Sequence, residues 1–240
     1  IGRLSSYLKV GKKKIQQRFS VSLWDMPKIS VDGKIITRKS LRMTRPKTSK
    51  TRKPSTKDRM VTVGRSLLQR HGYNGFSFQH IADDLGVQKA SLYDHYANKE
   101  ALVIAILENY QTAFHRLTEE LRESKPTDNI LQVFGVFHQF VSDHRKICPV
   151  LALAVDPQAL TKNILKVMNT FVGTWLEWLE REIKKGQRSG LIRKDLPAKD
   201  LALFVYSQGM GSQFQARMNN DPDIPLEAGK ILIRFLSPNI

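Results

Sequence analysis

The sequence predicts an all-α fold: an N-terminal three-helix head built around a helix-turn-helix, followed by a helical body. Three observations predict it. From Met60 to Leu236 apolar residues recur every three or four positions, and no run alternates as a half-buried strand would. Pro126, Pro149, Pro157 and Pro197 stand at the openings of the periodic segments, where a missing N–H costs no helical hydrogen bond. The stretch Ser77 to Tyr96 reads as two short helices meeting at a tight turn. A chain of 240 residues can hold one ordinary core or two modest ones. The expected divisions are 1–52 as a basic, mostly disordered extension, 53–113 as the head, with the helix-turn-helix over 77–96, and 114–240 as the body.

Charge is spread unevenly. Of the net +17, the first 59 residues carry +15, from 18 Lys and Arg against 3 Asp and Glu, and everything from Met60 onward carries +2. Basicity is therefore a property of the tail, and a polyanion is the partner it fits. Gly11, Pro27, Gly33 and Pro46 interrupt any period there, hence the expected disorder. Met43 begins a compact arm that leads into the first helix. The expected natural start is Met43, with Ile1 to Arg42 an over-extended reading frame. The arm's Arg45, Lys47, Lys50, Arg52, Lys53 and Lys57 admit two readings: a solvated, solubilising tail, or a flexible arm that touches phosphates or enters a minor groove.

Ser55-Thr-Lys-Asp58 has the form of a capping box, and Met60, Val63, Leu67 and Leu68 give the stripe of a first helix ending at Gly72. Gly64 in its middle costs about 1 kcal/mol of helix propensity relative to Ala, which close helix packing would explain. Ser77 can cap the next helix, whose Ile81 and Leu85 share one face. Gly86 can then stop it in a left-handed conformation. Val87 plugs the corner, and Leu92 with Tyr96 holds the second short helix down. Gln88, Lys89, Ser91, Tyr93 and His95 are left to point outward, a set whose long side chains suit base edges and whose hydroxyls suit phosphates in a DNA major groove.

Gly72-Tyr73, Ser77, Ile81-Ala82, Gly86-Val87, Leu92-Tyr93, His95-Tyr96 and Asn98-Lys99 stand in the order and spacing of the TetR family of bacterial transcriptional regulators, which the chain resembles over these helices. It departs from the family pattern at Phe76, His80, Gln88 and Asp94. Gln88 makes a weaker helix cap than Ser or Thr. The resemblance implies a cytoplasmic, homodimeric regulator that binds double-stranded palindromic operator DNA, needs no cofactor and is released by a small-molecule effector. On matching positions it implies Gln79, Lys89 and Tyr93 as base readers and Ser77, Ser91, His95 and Lys99 as phosphate-positioning residues. Only the first set would specify sequence.

From Asn98 a long helix with Leu102, Ile106, Tyr110 and Leu117 on its stripe runs toward Pro126. In the family it joins head to body, and its start near the recognition helix makes it the natural lever. Ile130 to His144 carries Val133, Phe134, Phe137, Phe140 and Val141; Pro149 starts a shorter apolar piece; Pro157 opens a long segment through Ile164, Phe171, Trp175 and Ile183. Asp195-Leu-Pro197 begins a helix through Leu201 and Val205, and a last helix covers Leu226 to Leu236. These final two helices resemble those that pair with their copies across the family's dimer interface. Gly209, Gly211 and Ser212 would let backbones approach there, and Phe214 needs cover.

Phe137, His138, Cys148, Phe171, Trp175 and Tyr206 are the candidate effector-pocket residues. The aromatics fit a cavity lining or plain core, and His138 and Tyr206 fit polar anchors or satisfied core partners. Cys148, the single cysteine, follows Arg145 and Lys146 and precedes the helix start expected at Pro149, an arrangement that would activate a thiol; the opposing reading is an inert buried residue. One cysteine excludes an internal disulfide, and His138 and His144 are not spaced to share a helical face, so no metal site is expected. With no phosphate loop, paired-His motif or nucleophile elbow, an enzyme is not expected either. The alternatives to an effector-released repressor are a repressor sensing oxidants or electrophiles through Cys148, and a non-regulatory basic helical scaffold.

Overall fold

The structure, a computed structural model, describes residues 54–238 together with the segments Lys28–Ile29 and Ile35–Ile36. These segments pair antiparallel as strands β1 and β2, Lys28 opposite Ile36 and Ile29 opposite Ile35. The extension expected to be mostly disordered thus contains a two-residue ladder. Its other residues, including Met43 and the basic arm through Lys53, lie outside the described residues. Residues 54–238 are helical between short connections, which makes the fold all-α. Among the described residues no helix is long and apolar enough to cross a membrane.

Helix α1 (Thr56–His71) starts from the expected capping box: Ser55 Oγ accepts from the Asp58 N–H, and Asp58 Oδ2 accepts from the Ser55 N–H at 2.9 Å. It ends at Gly72, whose φ of 73° is a left-handed-side value that a side chain resists. The stripe Met60, Val63, Leu67 and Leu68 is buried. Gly64 does mark a close approach, because a Cβ there would stand 3.0 Å from Ile106 Cδ1 and 3.4 Å from Leu102 Cδ2.

Helix α2 (Phe78–Leu85) is capped by Ser77, which accepts from the His80 N–H, and is stopped by Gly86 at φ 67°, ψ 38°. Helix α3 (Lys89–Leu92) is shorter than the sequence predicts. After one α-turn the chain continues to His95 through i→i+3 bonds such as His95 N–H to Leu92 O at 3.1 Å. The cause is local: Gln88 makes no side-chain cap, so the first N–H groups of a four-residue helix go unassisted. Helix α4 (Lys99–Glu120) is capped by Asn98, whose Oδ1 accepts from the Ala101 N–H at 2.9 Å. It runs unbroken across the division expected at 113/114.

The body consists of α5 (Pro126–Ser142), α6 (Pro149–Ala154), α7 (Lys162–Arg188), α8 (Ala198–Asn219) and α9 (Ile224–Leu236). Pro157 opens a single 3₁₀ turn, Pro157–Ala159, rather than the long helix; Thr161 caps α7 by accepting from the Ile164 N–H. Helix α5 lies against α7, α8 and α9, while α4 packs on α7, and α1 packs on both α4 and α6. One hydrophobic core therefore runs from Met60 in α1 to Leu236 in α9. Gly209 and Ser212 face this core rather than an outer partner: a Cβ on Gly209 would meet Phe137 Cε2 at 2.9 Å, and Ser212 is buried. Of the three small residues expected to admit a second chain, Gly211 alone is exposed.

Candidate DNA-reading face and effector pocket

Burial of Ile81, Ala82, Leu92 and Tyr96 turns the opposite sides of α2 and α3 outward. Gln79, Lys89, Ser91, Tyr93 and His95 are all exposed there. Tyr93 is 48% exposed yet positioned, since its ring lies 5.0 Å from that of buried Phe78. A ring supported on one side keeps its free edge and hydroxyl available at little entropic cost. Ser91 Oγ donates to Gln88 O at 2.7 Å and Gln79 Nε2 donates to Asp83 Oδ1 at 2.8 Å, so both side chains have local partners that DNA would have to exchange. Ser77 is half-buried at the cap of α2. Lys57 reaches over the Tyr96 ring at 5.4 Å, which brings the last cation of the basic arm to the edge of this face.

Lys99, which the family resemblance implies as a phosphate contact, is engaged within the head. Its ammonium donates to Phe76 O at 2.7 Å and sits 4.5 Å and 4.6 Å from the centres of the Tyr73 and Phe76 rings. Half-burial lowers its pKa. The residue ties α4 to the loop before α2.

The six candidate pocket residues do not converge on one place. Phe137, Trp175 and Tyr206 line a cavity of about 10 Å³ with Phe134, Val205 and Gly209. That is room for about one water molecule, so the side chains at this place are packed together. Phe171 lies beside it in an aromatic cluster, 5.9 Å from Trp175 and 5.3 Å from Tyr110. His138 is elsewhere: its Nδ1 is 2.8 Å from Pro222 O at the α8–α9 connection. Burial pushes the Tyr206 phenol up, keeping it neutral. Among the described residues the buried indole N–H of Trp175 has no acceptor.

Cys148 is also outside the cavity, wholly buried at the start of α6. Burial pushes its thiol up, outweighing its hydrogen bond with Tyr110 and those from the Val150 and Leu151 N–H groups. The two cations expected to activate it are engaged away from it. Arg145 donates to Arg217 O at 2.7 Å, and Lys146 pairs with Asp143. This geometry is that of a core residue.

Two constellations were not visible in the sequence. At the seam between head and body, Arg217 of α8 donates to the carbonyls of Gln69 and Arg70 at the end of α1, and the Ile147 N–H also reaches Gln69 O. Gln213, one helical turn before Arg217, accepts from the Cys148 N–H at 2.7 Å. Where α4 ends and α5 begins, buried Glu182 accepts from Asn129 Nδ2 at 2.6 Å and from Lys185 at 2.7 Å. In the sequence Arg217 and Glu182 are ordinary polar residues of amphipathic helices, and nothing local marks their partners.

A protein-family model described as bacterial regulatory proteins of the tetR family matches residues 61–106, and one described as tetracyclin repressor-like C-terminal domain matches 126–231. The chain is 24% identical over 177 residues to the HTH-type transcriptional repressor NemR of Escherichia coli K12, covering 72% of this chain and 88% of NemR. It is 22% identical over 166 residues to the HTH-type transcriptional repressor DhaR of a Mycobacterium species, covering 68% of this chain and 84% of DhaR. A TetR-family regulator from Agrobacterium tumefaciens has the same fold, with a TM-score of 0.72 at 20% identity over 76% of this chain and 97% of that one. With one family model over the helix-turn-helix and another over the body, the chain belongs to the TetR family of DNA-binding transcriptional regulators rather than to any enzyme class.

Proposed function

We propose that the protein is a cytoplasmic homodimeric repressor that reads a palindromic operator with residues 53–113 and loses it when a small molecule enters the body, residues 114–240. The observation that carries this reading is the outward polar set Lys89, Ser91, Tyr93 and His95 on a short helix held down by buried Leu92 and Tyr96. Lys89, Tyr93 and Gln79 are assigned to base edges; Ser77, Ser91 and His95 are assigned to phosphates. Lys99 is assigned to the head's internal packing.

Dimerisation is supported by the outer faces of α8 and α9. Leu203, Phe214 and Met218 of α8 and Ile231 and Phe235 of α9 are large apolar side chains left exposed on the single chain. Paired against a second copy they would form the four-helix interface usual in the family, and two heads would then meet successive major grooves roughly 34 Å apart or somewhat more. An effector lowers operator affinity only by its differential affinity for the two head arrangements, typically about 1–3 kcal/mol. Sedimentation of the wild-type protein and a Phe214→Glu variant, with and without operator, tests this: the expected result is a dimer that the variant splits, with loss of operator binding. A wild-type monomer bound to a single half-site would contradict it.

A further inference from the structure

We infer that the seam between head and body holds a site for a small oxyanion, a phosphoryl or carboxylate group on a free molecule, with Ser66 and Gln69 of α1 as its floor and Arg70, His71 and Arg217 as its rim. The inference goes beyond the proposed operator and effector readings and stands without them. Ser66 and Gln69 are 6% and 3% exposed, and among the described residues Ser66 Oγ, Gln69 Nε2 and Arg70 Nε are buried with no hydrogen-bond partner. Gln69 and Arg70 follow Ser66 by three and four positions, so the three side chains share one face of α1. Each of the three groups can donate: a hydroxyl, a carboxamide NH₂ and a guanidinium N–H. Leaving such donors unpartnered in the interior is unfavourable, and an acceptor seated against them removes the penalty.

The charge at this place has one sign. Arg217 crosses from α8 to the carbonyls of Gln69 and Arg70, and Arg145 donates to Arg217 O, so two guanidinium side chains meet the end of α1. Burial, then Arg70, Arg217 and His80, lowers the pKa of His71; burial, then Arg145, lowers that of Arg217. Among the described residues no carboxylate contributes to either shift. The acids nearest in sequence to Arg145 and Arg217 are engaged elsewhere: Asp143 holds Lys146 and His144, and Asp221 accepts from the Asp223 N–H. Part of the positive charge serves the carbonyl end of α1, as a cation at a helix C-terminus does. That service leaves the three donors on the α1 face unanswered.

Floor and rim together select the ligand. A neutral acceptor would satisfy Ser66 and Gln69 and leave the cations without a counter-charge, whereas an oxyanion answers both, through the stronger charge-assisted kind of hydrogen bond. The floor residues are almost fully buried, beyond the reach of a phosphate held in a duplex backbone, so the occupant is a free small molecule. Seated there, it ties α1 of the head to α8 of the body and adds to the bonds that Arg217 already makes.

The test is isothermal titration of inorganic sulfate, at fixed ionic strength in chloride, into the full chain and into the double variant Ser66→Ala, Gln69→Met. The wild type should bind sulfate, and the double variant should bind it roughly tenfold more weakly or less, because two donors are gone. No binding by the wild type, or equal affinity in the two proteins, overturns the inference. Should the variant not fold, the titration of His71 followed by NMR in the wild type decides. An anion beside His71 favours its charged form, so its pKa should rise in sulfate relative to chloride; an unmoved value overturns the inference. The sulfate titration is repeated with a duplex of random sequence present. Retained binding upholds a free small oxyanion as the occupant, and loss of binding would assign the rim to the DNA backbone and overturn it.

Discussion

On the proposed reading face, Leu92 and Tyr96 are buried and Lys89, Ser91, Tyr93 and His95 are exposed; in the body, Phe137, Phe171 and Trp175 are buried with almost no space between the rings. The first region keeps its candidate functional atoms outside the core, where changing them should cost binding and little else. In the second, the candidate ligand contacts are the core, so function and stability share the same side chains. Under the proposed effector release, rings parted by a ligand would disturb packing that reaches α1 through α8, and that shared use would let a small molecule be felt at the head.

The comparison makes graded predictions. Trp175→Ala should destabilise the fold by about 3–5 kcal/mol in urea denaturation, since it empties the centre of the aromatic cluster; a loss below about 1 kcal/mol would mean that the body is looser than its packing implies. Tyr93→Ala should cost about 1–3 kcal/mol of discrimination between operators, and its stability loss should stay near the value of one ring contact, about 0.5–1.5 kcal/mol. Arg217→Met keeps the stem and removes the guanidinium from the carbonyls of Gln69 and Arg70. The expected loss is about 1–3 kcal/mol of stability, together with a smaller response of operator affinity to any body ligand. An unaltered response would take α8 out of the coupling route. Lys99→Met separates the two regions most finely. With its ammonium held by Phe76 O, the variant should lower the melting temperature while leaving the salt slope of DNA binding unchanged; a slope reduced by about one would return Lys99 to the phosphate contacts.

Much of the head was legible because its signals are local. Ser55, Ser77 and Asn98 each cap a helix that begins one residue later, and Gly86 stops α2 in the conformation that a residue without a Cβ favours. The brevity of α3 was half-legible in Gln88, a poor cap. The body was legible as helices but not as a site. Helix α8 is apolar both toward Phe137 and toward solvent, so periodicity cannot say that Gly209 faces the core and Phe214 faces out. Cys148 beside two cations admits an activated and an inert reading in the sequence; the fold buries it and engages Arg145 with Arg217, 72 residues away. Such pairings are set by tertiary packing, which no short window contains.

The account stands most directly on selection of preferred duplexes from a random pool by the wild-type protein and by Tyr93→Ala. It predicts that the wild type enriches a palindrome with half-sites about one helical turn or more apart, and that Tyr93→Ala loses preference at a symmetric pair of positions while still binding DNA. Enrichment of an asymmetric site, or the same palindrome with undiminished preference in Tyr93→Ala, would contradict it.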